Sequence, residues 1–143
     1  MTTLRRDAIL NRLDAIRRAV ERLRPHQAVS LEAFLADGDE QWVVERGLHL
    51  AAEAALDVSN HLAAARRLPA PEDYPQAIDR LADAGILPRD FAARFRRVGG
   101  FRDLLVHAYL DIDPRQVHLI LTGHLEDFLT FAQHIATFLA RPE

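Results

Sequence analysis

EQWVVERGLHLAAEAALDVSNHLAAARR, residues 40–67, contains no proline and one glycine, Gly47, which sits just ahead of Ala51, Ala52, Ala54 and Ala55. Alanine loses no side-chain entropy in a helix and glycine has no Cβ, so the stretch predicts a long helix that neighbours can approach closely. It is expected to be central to the molecule, with Asp39 as its N-cap. Upstream, Ile9, Leu13, Ile16, Val20 and Leu23 recur at helical spacing between arginines until Pro25 stops the segment. Ser30 with Ala33 and Phe34 reads as a short helix ended at Asp37 and Gly38.

Downstream, LPAPEDYP is a turn and loop, followed by a helix over about residues 74–84 that Gly85 terminates. Another helix starts near Pro88 to Asp90 and carries Phe91, Phe95 and Val98 before Gly99 and Gly100 loosen the chain. Asp113, with Pro114 at the first helical position and Gln116 three residues on, is a strong start signal. One last helix is expected to run from there to about Leu139, because Val117, Leu121, His124, Phe128, Phe131, Ile135 and Phe138 step by three and four. There is no internal repeat, low-complexity tract or strand-like alternation. The expected fold is all-α: an up-and-down four-helix bundle with additional short helices, a single domain over residues 1–143.

A chain of 143 residues supports one core of ordinary size. The absence of cysteine excludes disulfides, thiolate metal sites and a cysteine nucleophile. No apolar run approaches the roughly 20 residues that span a bilayer, and MTTLRRDAILNRL has no signal-peptide core, so a cytoplasmic location is expected. The net charge of -3 argues against nucleic-acid binding through bulk positive charge. Its distribution is uneven. All 18 basic residues are arginine, and Arg89, Arg94, Arg96, Arg97 and Arg102 gather around a single acid, Asp90, whereas residues 32–57 are mostly acidic. One face is thus suited to RNA. The arginines of the first helix read as a solvated face.

The chemistry concentrates in FRDLLVHAYLDID, residues 101–113, where Arg102, His107 and Tyr109 are separated by five and two positions. Spacing alone is weak, because 18 arginines and 7 histidines give an Arg five positions before a His about once by chance. A bland reading places Arg102 in a surface pair, His107 at a helix end and Tyr109 in the core. On a continuous helix Arg102 and His107 would lie about 140° apart. Two arrangements bring them together: a helix ending near Val106, or convergence across a symmetric dimer interface. Asp103, four residues before His107, can hold the imidazole and favour its charged form if the helix persists.

FRDLLVHAYLDID closely resembles the motif of the HEPN superfamily, in particular the HepT toxins of HepT and MntA toxin–antitoxin systems. The resemblance extends over ERGLHLAAEAALDVSNHLAA, the Pro-rich turn with Tyr74, the motif and the closing helix, in that order. Family members commonly have Asn where this chain has Asp103, which adds a negative charge beside Arg102. The resemblance implies a metal-independent endoribonuclease that works as a homodimer without a cofactor, with Arg102 and His107 catalytic. It also implies that Tyr109 accepts AMP from an MntA-like nucleotidyltransferase antitoxin. The alternative is a non-catalytic helical nucleotide-binding or interaction module that partners a nucleotidyltransferase.

A second polar stripe, Glu53, Asp57 and His61, recurs every four residues on the long helix, with Asn60 beside it. Two carboxylates one turn apart repel unless a cation lies close, and Arg102 is a candidate for it. Asp57, Asn60 and His61 are therefore either supporting partners of the motif or a polar layer that fixes helix register. His118, His124 and His134 lack the three- or four-residue step that sets two metal ligands on one helical face. His26 and His49 read as solvent or interface residues.

Overall fold

Gly47 marks the crossing of the two longest helices, α1 (Arg6–Leu23) and α3 (Gly38–Ala65). A Cβ at this position would lie 2.6 Å from Leu23 Cδ2 and 2.9 Å from Leu23 Cγ, so only glycine admits the leucine. The computed structural model describes residues 5–98, 100–101 and 112–141. Between and after the two long helices come a 3-10 helix (Arg24–Ala28), α2 (Leu31–Leu35), α4 (Tyr74–Asp83), α5 (Arg89–Phe95), α6 (Pro114–Gly123) and α7 (Leu125–Leu139). No strand occurs among the described residues.

Contacts at the two ends of α1 fix the topology. The Arg5 backbone N–H donates to His61 Nε2 at 3.2 Å and Arg12 Nε lies 3.5 Å from Asp57 Oδ2, whereas Leu23 meets Gly47. Helix α1 is thus antiparallel to α3. It is antiparallel to α7 as well, because the Arg6 guanidinium donates to the Leu139 carbonyl and Arg24 Nη1 lies 2.5 Å from Glu126 Oε1. The arginines of α1 are therefore partly interhelical ties rather than a uniformly solvated face.

The apolar stripe of α1 is the inner face that the spacing predicts: Ile9, Leu13, Ile16, Val20 and Leu23 are each at most 1% exposed. Burial of such side chains contributes roughly 1.5–3 kcal/mol apiece relative to exposure. Opposite them, Leu48, Ala51, Ala52, Ala55, Leu56 and Leu62 of α3 are fully buried. Helix α7 adds Phe128, Phe131 and Ile135. The Phe131 ring stacks on Phe95 of α5 at 4.9 Å, and Phe128 meets the same ring edge-on at 5.7 Å.

Most helix boundaries follow the start and stop signals. Ser30 Oγ accepts from the Ala33 N–H, Asp73 accepts from Gln76, and Gly85 takes φ +73° just beyond α4. Three details differ from the sequence reading. The cap of α3 is Asp37, whose carboxylate accepts from both Asp39 and Glu40, because its extended backbone aims the side chain at these free N–H groups. The α-helix stops at Leu23, as Pro25 predicts, but the chain goes on into a 3-10 turn that the sequence reading did not foresee, where the missing N–H of Pro25 costs nothing in the first turn. The expected last helix is two helices, broken where Gly123 meets His124, whose φ of -130° and ψ of 4° leave the helical region. The break moves Leu125 into the core at 1% exposure and leaves the His124 side chain 41% exposed.

Two consequences are measurable. Gly47→Ala gains helix propensity worth about 1 kcal/mol but forces the whole Leu23 isobutyl group to shift, which typically costs about 1–3 kcal/mol. The expected outcome in urea unfolding is a net loss of stability of about 1 kcal/mol in the native background, turning into a gain when Leu23→Ala opens the space. Burial raises the Glu45 carboxyl above its ordinary value. A carboxylate that binds its proton more tightly when folded opposes stability above its folded pKa, and the penalty fades as pH falls toward its unfolded value. Glu45→Gln should therefore stabilise at pH 7 and lose that advantage at pH 4, as read from paired melting curves.

Candidate functional site

Phe101, which opens the stretch FRDLLVHAYLDID, is a core residue at 5% exposure, and Ile112, near its end, is partly buried against the same core. Arg102, Asp103, His107 and Tyr109 lie outside the described residues. The structure therefore gives the frame on both sides of the motif. Two hollows in that frame hold chemistry.

The first is a shallow groove of about 500 Å³ between α1 and α3. Asp57, Asn60 and His61 line it, opposite Arg5 and Arg12 of the first helix. Among the described residues the cation beside Asp57 is Arg12, the expected Arg102 lying outside them, and the His61 ring is held through Nε2 by the Arg5 N–H. Asp57 and His61 thus tie α3 to the N-terminal end of the first helix at its solvent edge. Glu53, one turn earlier, lies 3.4 Å from His49 Nε2.

The second hollow, of about 420 Å³, opens between α5 and the α6–α7 break, and Phe101 lines it. Phe95, Phe101 and Phe128 give it an aromatic side, and Leu119 and Ile120 of α6 an aliphatic one. Asp127 supplies the polar edge. It is 18% exposed and faces both Arg94 Nε at 3.3 Å and His124 Nδ1 at 3.4 Å. The Arg94 guanidinium also sits 5.1 Å from the Phe91 ring centroid. Neither hollow is evident from sequence, although the i,i+3 spacings of Arg94 with Arg97 and His124 with Asp127 are its only local trace.

The arginine cluster is largely neutralised by acids distant in sequence. Arg89 pairs with Asp83 at 3.1 Å, Arg94 with Asp127, and Arg96 with both oxygens of Asp79 at 3.1 Å. Hydrogen bonds to Asp79 hold the Arg96 pKa above its ordinary value. Among the described residues Arg97 has no such acid. The expected basic face is thus reduced, within the described residues, to one open guanidinium.

The histidines serve separate local roles. His118 Nε2 lies 2.8 Å from the Val29 carbonyl, and the His134 ring packs on Phe91 at 5.4 Å. His26 and His49 are only partly exposed, with His26 Nδ1 2.5 Å from Glu40 Oε1 and His49 Nε2 buried.

The family model "Ribonuclease HepT-like" matches residues 15–135. The chain belongs to the HepT-like ribonuclease family. It is similar to the tRNA nuclease HepT of Aphanizomenon flos-aquae, with 30% identity over 141 residues covering 97% of this chain and 95% of that protein. It is also similar to the mRNA nuclease HepT of Shewanella oneidensis, at 26% identity over 125 residues, 87% of this chain and 93% of the other. A solved structure of a tri-AMPylated Shewanella oneidensis HEPN toxin in complex with MNT antitoxin superposes with a TM-score of 0.82 at 25% identity, over 93% of this chain and 99% of that one. The HepT-like match therefore extends over most of the chain.

Asp127 is the polar hinge of the second hollow. Asp127→Ala leaves Arg94 and His124 without their shared carboxylate, and the expected loss is roughly 1–2 kcal/mol. The half-exposed Arg96→Ala should cost under about 1 kcal/mol. Urea unfolding of the two variants at neutral pH compares them directly.

Proposed function

We propose that this chain is a metal-independent endoribonuclease toxin that cuts RNA by attack of a ribose 2'-hydroxyl. The observation that carries the reading is the coincidence of FRDLLVHAYLDID with a match to the HepT-like ribonuclease model across residues 15–135. His107 removes the 2'-hydroxyl proton or returns one to the leaving 5'-oxygen, as an imidazole with an ordinary pKa near 6.5 can do at neutral pH. The 2'-oxygen bonds to phosphorus as the 5'-oxygen departs, leaving a 2',3'-cyclic phosphate and a 5'-hydroxyl. Arg102 holds the extra negative charge of the phosphorane-like transition state through paired N–H donors. A 2'-hydroxyl nucleophile limits the reaction to RNA.

Control follows from Tyr109. An MntA-like nucleotidyltransferase antitoxin transfers AMP to its hydroxyl, and the added anion two residues from His107 excludes RNA phosphate by occupation and repulsion. The similarity to a tri-AMPylated toxin bound to its antitoxin supports this reading. Asp57, Asn60, His61 and Asp103 take supporting roles. Residues 1–143 form one HEPN-like domain that works as a cytoplasmic homodimer, the second subunit or water supplying the second proton transfer. No described helix is long and apolar enough to cross a membrane.

Purified protein incubated with total RNA in chelator should cut it, and Arg102→Ala or His107→Ala should lower the rate by about a hundredfold or more while the dimer persists in sedimentation. Unchanged cleavage in both variants would overturn the assignment, and RNA left intact by the native chain would favour the non-catalytic module. Coexpression with the antitoxin should add about 329 Da per AMP to the intact mass, and Tyr109→Phe should abolish the addition and keep cleavage.

A further inference from the structure

The hollow between α5 and the α6–α7 break combines three features that its structural role leaves unused. Leu119 is 58% exposed and lines the hollow together with Ile120, which is partly buried against the core, and Phe101. Arg97 stands at the rim without a carboxylate among the described residues, although Arg89, Arg94 and Arg96 beside it each have one. The Gln116 side chain also lines the hollow and makes no hydrogen bond among the described residues, so its amide offers a donor and an acceptor together. Among the described lining residues, Arg94 and Arg97 stand against Asp127, a net positive set.

We infer that this hollow is a nucleotide subsite, which receives one base of the RNA strand between the Phe101 side and Leu119 and Ile120, with the attached phosphate on Arg97. The inference rests on the endoribonuclease reading for its choice of occupant. A volume of about 420 Å³ falls within the small-molecule range of roughly 300–1,000 Å³ and accommodates a single nucleotide rather than a helix of a partner protein. A base has apolar faces and a hydrogen-bonding edge, which match an apolar slot with one amide at its margin. A phosphate matches the one open guanidinium. Phe101 lines the hollow and immediately precedes Arg102 in the sequence. Gln116 is then a specificity-determining residue that reads the base edge.

The test begins without cleavage. AMP, CMP, GMP and UMP are titrated into the full chain and followed by saturation-transfer NMR. At least one should bind, and Arg97→Glu and Leu119→Trp should each weaken that binding about tenfold or more, the range lost when a charge-assisted contact is removed. Arg97 and Leu119 are exposed, so the variants fold, which circular dichroism verifies. In RNA cleavage the same variants should raise KM about tenfold at nearly constant kcat, with Gln116→Ala relaxing base preference at the sequenced cut ends. Monophosphate binding and KM unmoved by Arg97→Glu would overturn the inference. So would a Leu119→Trp variant whose only change is its oligomeric state, which would make this face a subunit contact. Native protein that binds a monophosphate yet leaves RNA intact would remove the endoribonuclease reading and keep the subsite; native protein that cuts RNA with none of these dependences would do the reverse.

Discussion

The fit of Leu23 over Gly47 is the constraint from which the rest of the bundle follows. With no Cβ on α3 at that point, the two long helices close to a distance that no larger residue allows. The alanines one and two turns on are fully buried as a result. Close packing at this density makes every matched side chain count, since an interior gap or overlap of one methyl group is felt in stability. Once α1 is fixed on α3, its opposite flank is available to α7, and the two arginine ties at its ends set that second pairing in the same antiparallel sense.

Much of this was legible in the sequence because its signals are local. The inner face of α1 is a three-and-four spacing of branched aliphatic residues, Ser30 and Asp73 are caps by residue type, and Gly85 takes the positive φ just past α4. The long helix announces itself by alanine content. The break at His124 was not legible, since the apolar spacing continues through it and a single glycine is tolerated within many helices. What decides it is tertiary: Leu125 is drawn into the core while the His124 ring turns to Asp127.

The candidate site divides along the same line. Arg102, His107 and Tyr109 are visible as a short motif, and family membership gives that motif its meaning. Their surroundings are not written in any contiguous stretch. The arginines after Pro88 look like a basic face in one dimension, but Asp79, Asp83 and Asp127 reach them from other helices and leave Arg97 as the open charge among the described residues. Likewise, the carboxylate and imidazole of Asp57 and His61 meet Arg12 of α1 and the Arg5 N–H at its N-cap, the latter 56 positions earlier in the chain. Pairings of that kind depend on topology, which residue spacing does not encode.

The pairing of α1 with α7 has a consequence for the order in which the chain is made. Arg6 finds its acceptor 133 positions later, and Phe95 meets the Phe128 and Phe131 rings only when α7 exists. Loop closure over such separations is slow, and chains emerge from the ribosome at roughly 5–20 residues per second. For several seconds the nascent chain therefore holds a core that lacks one wall. Closure of the bundle is deferred until the final helix docks, so the fold is completed only at the very end of synthesis.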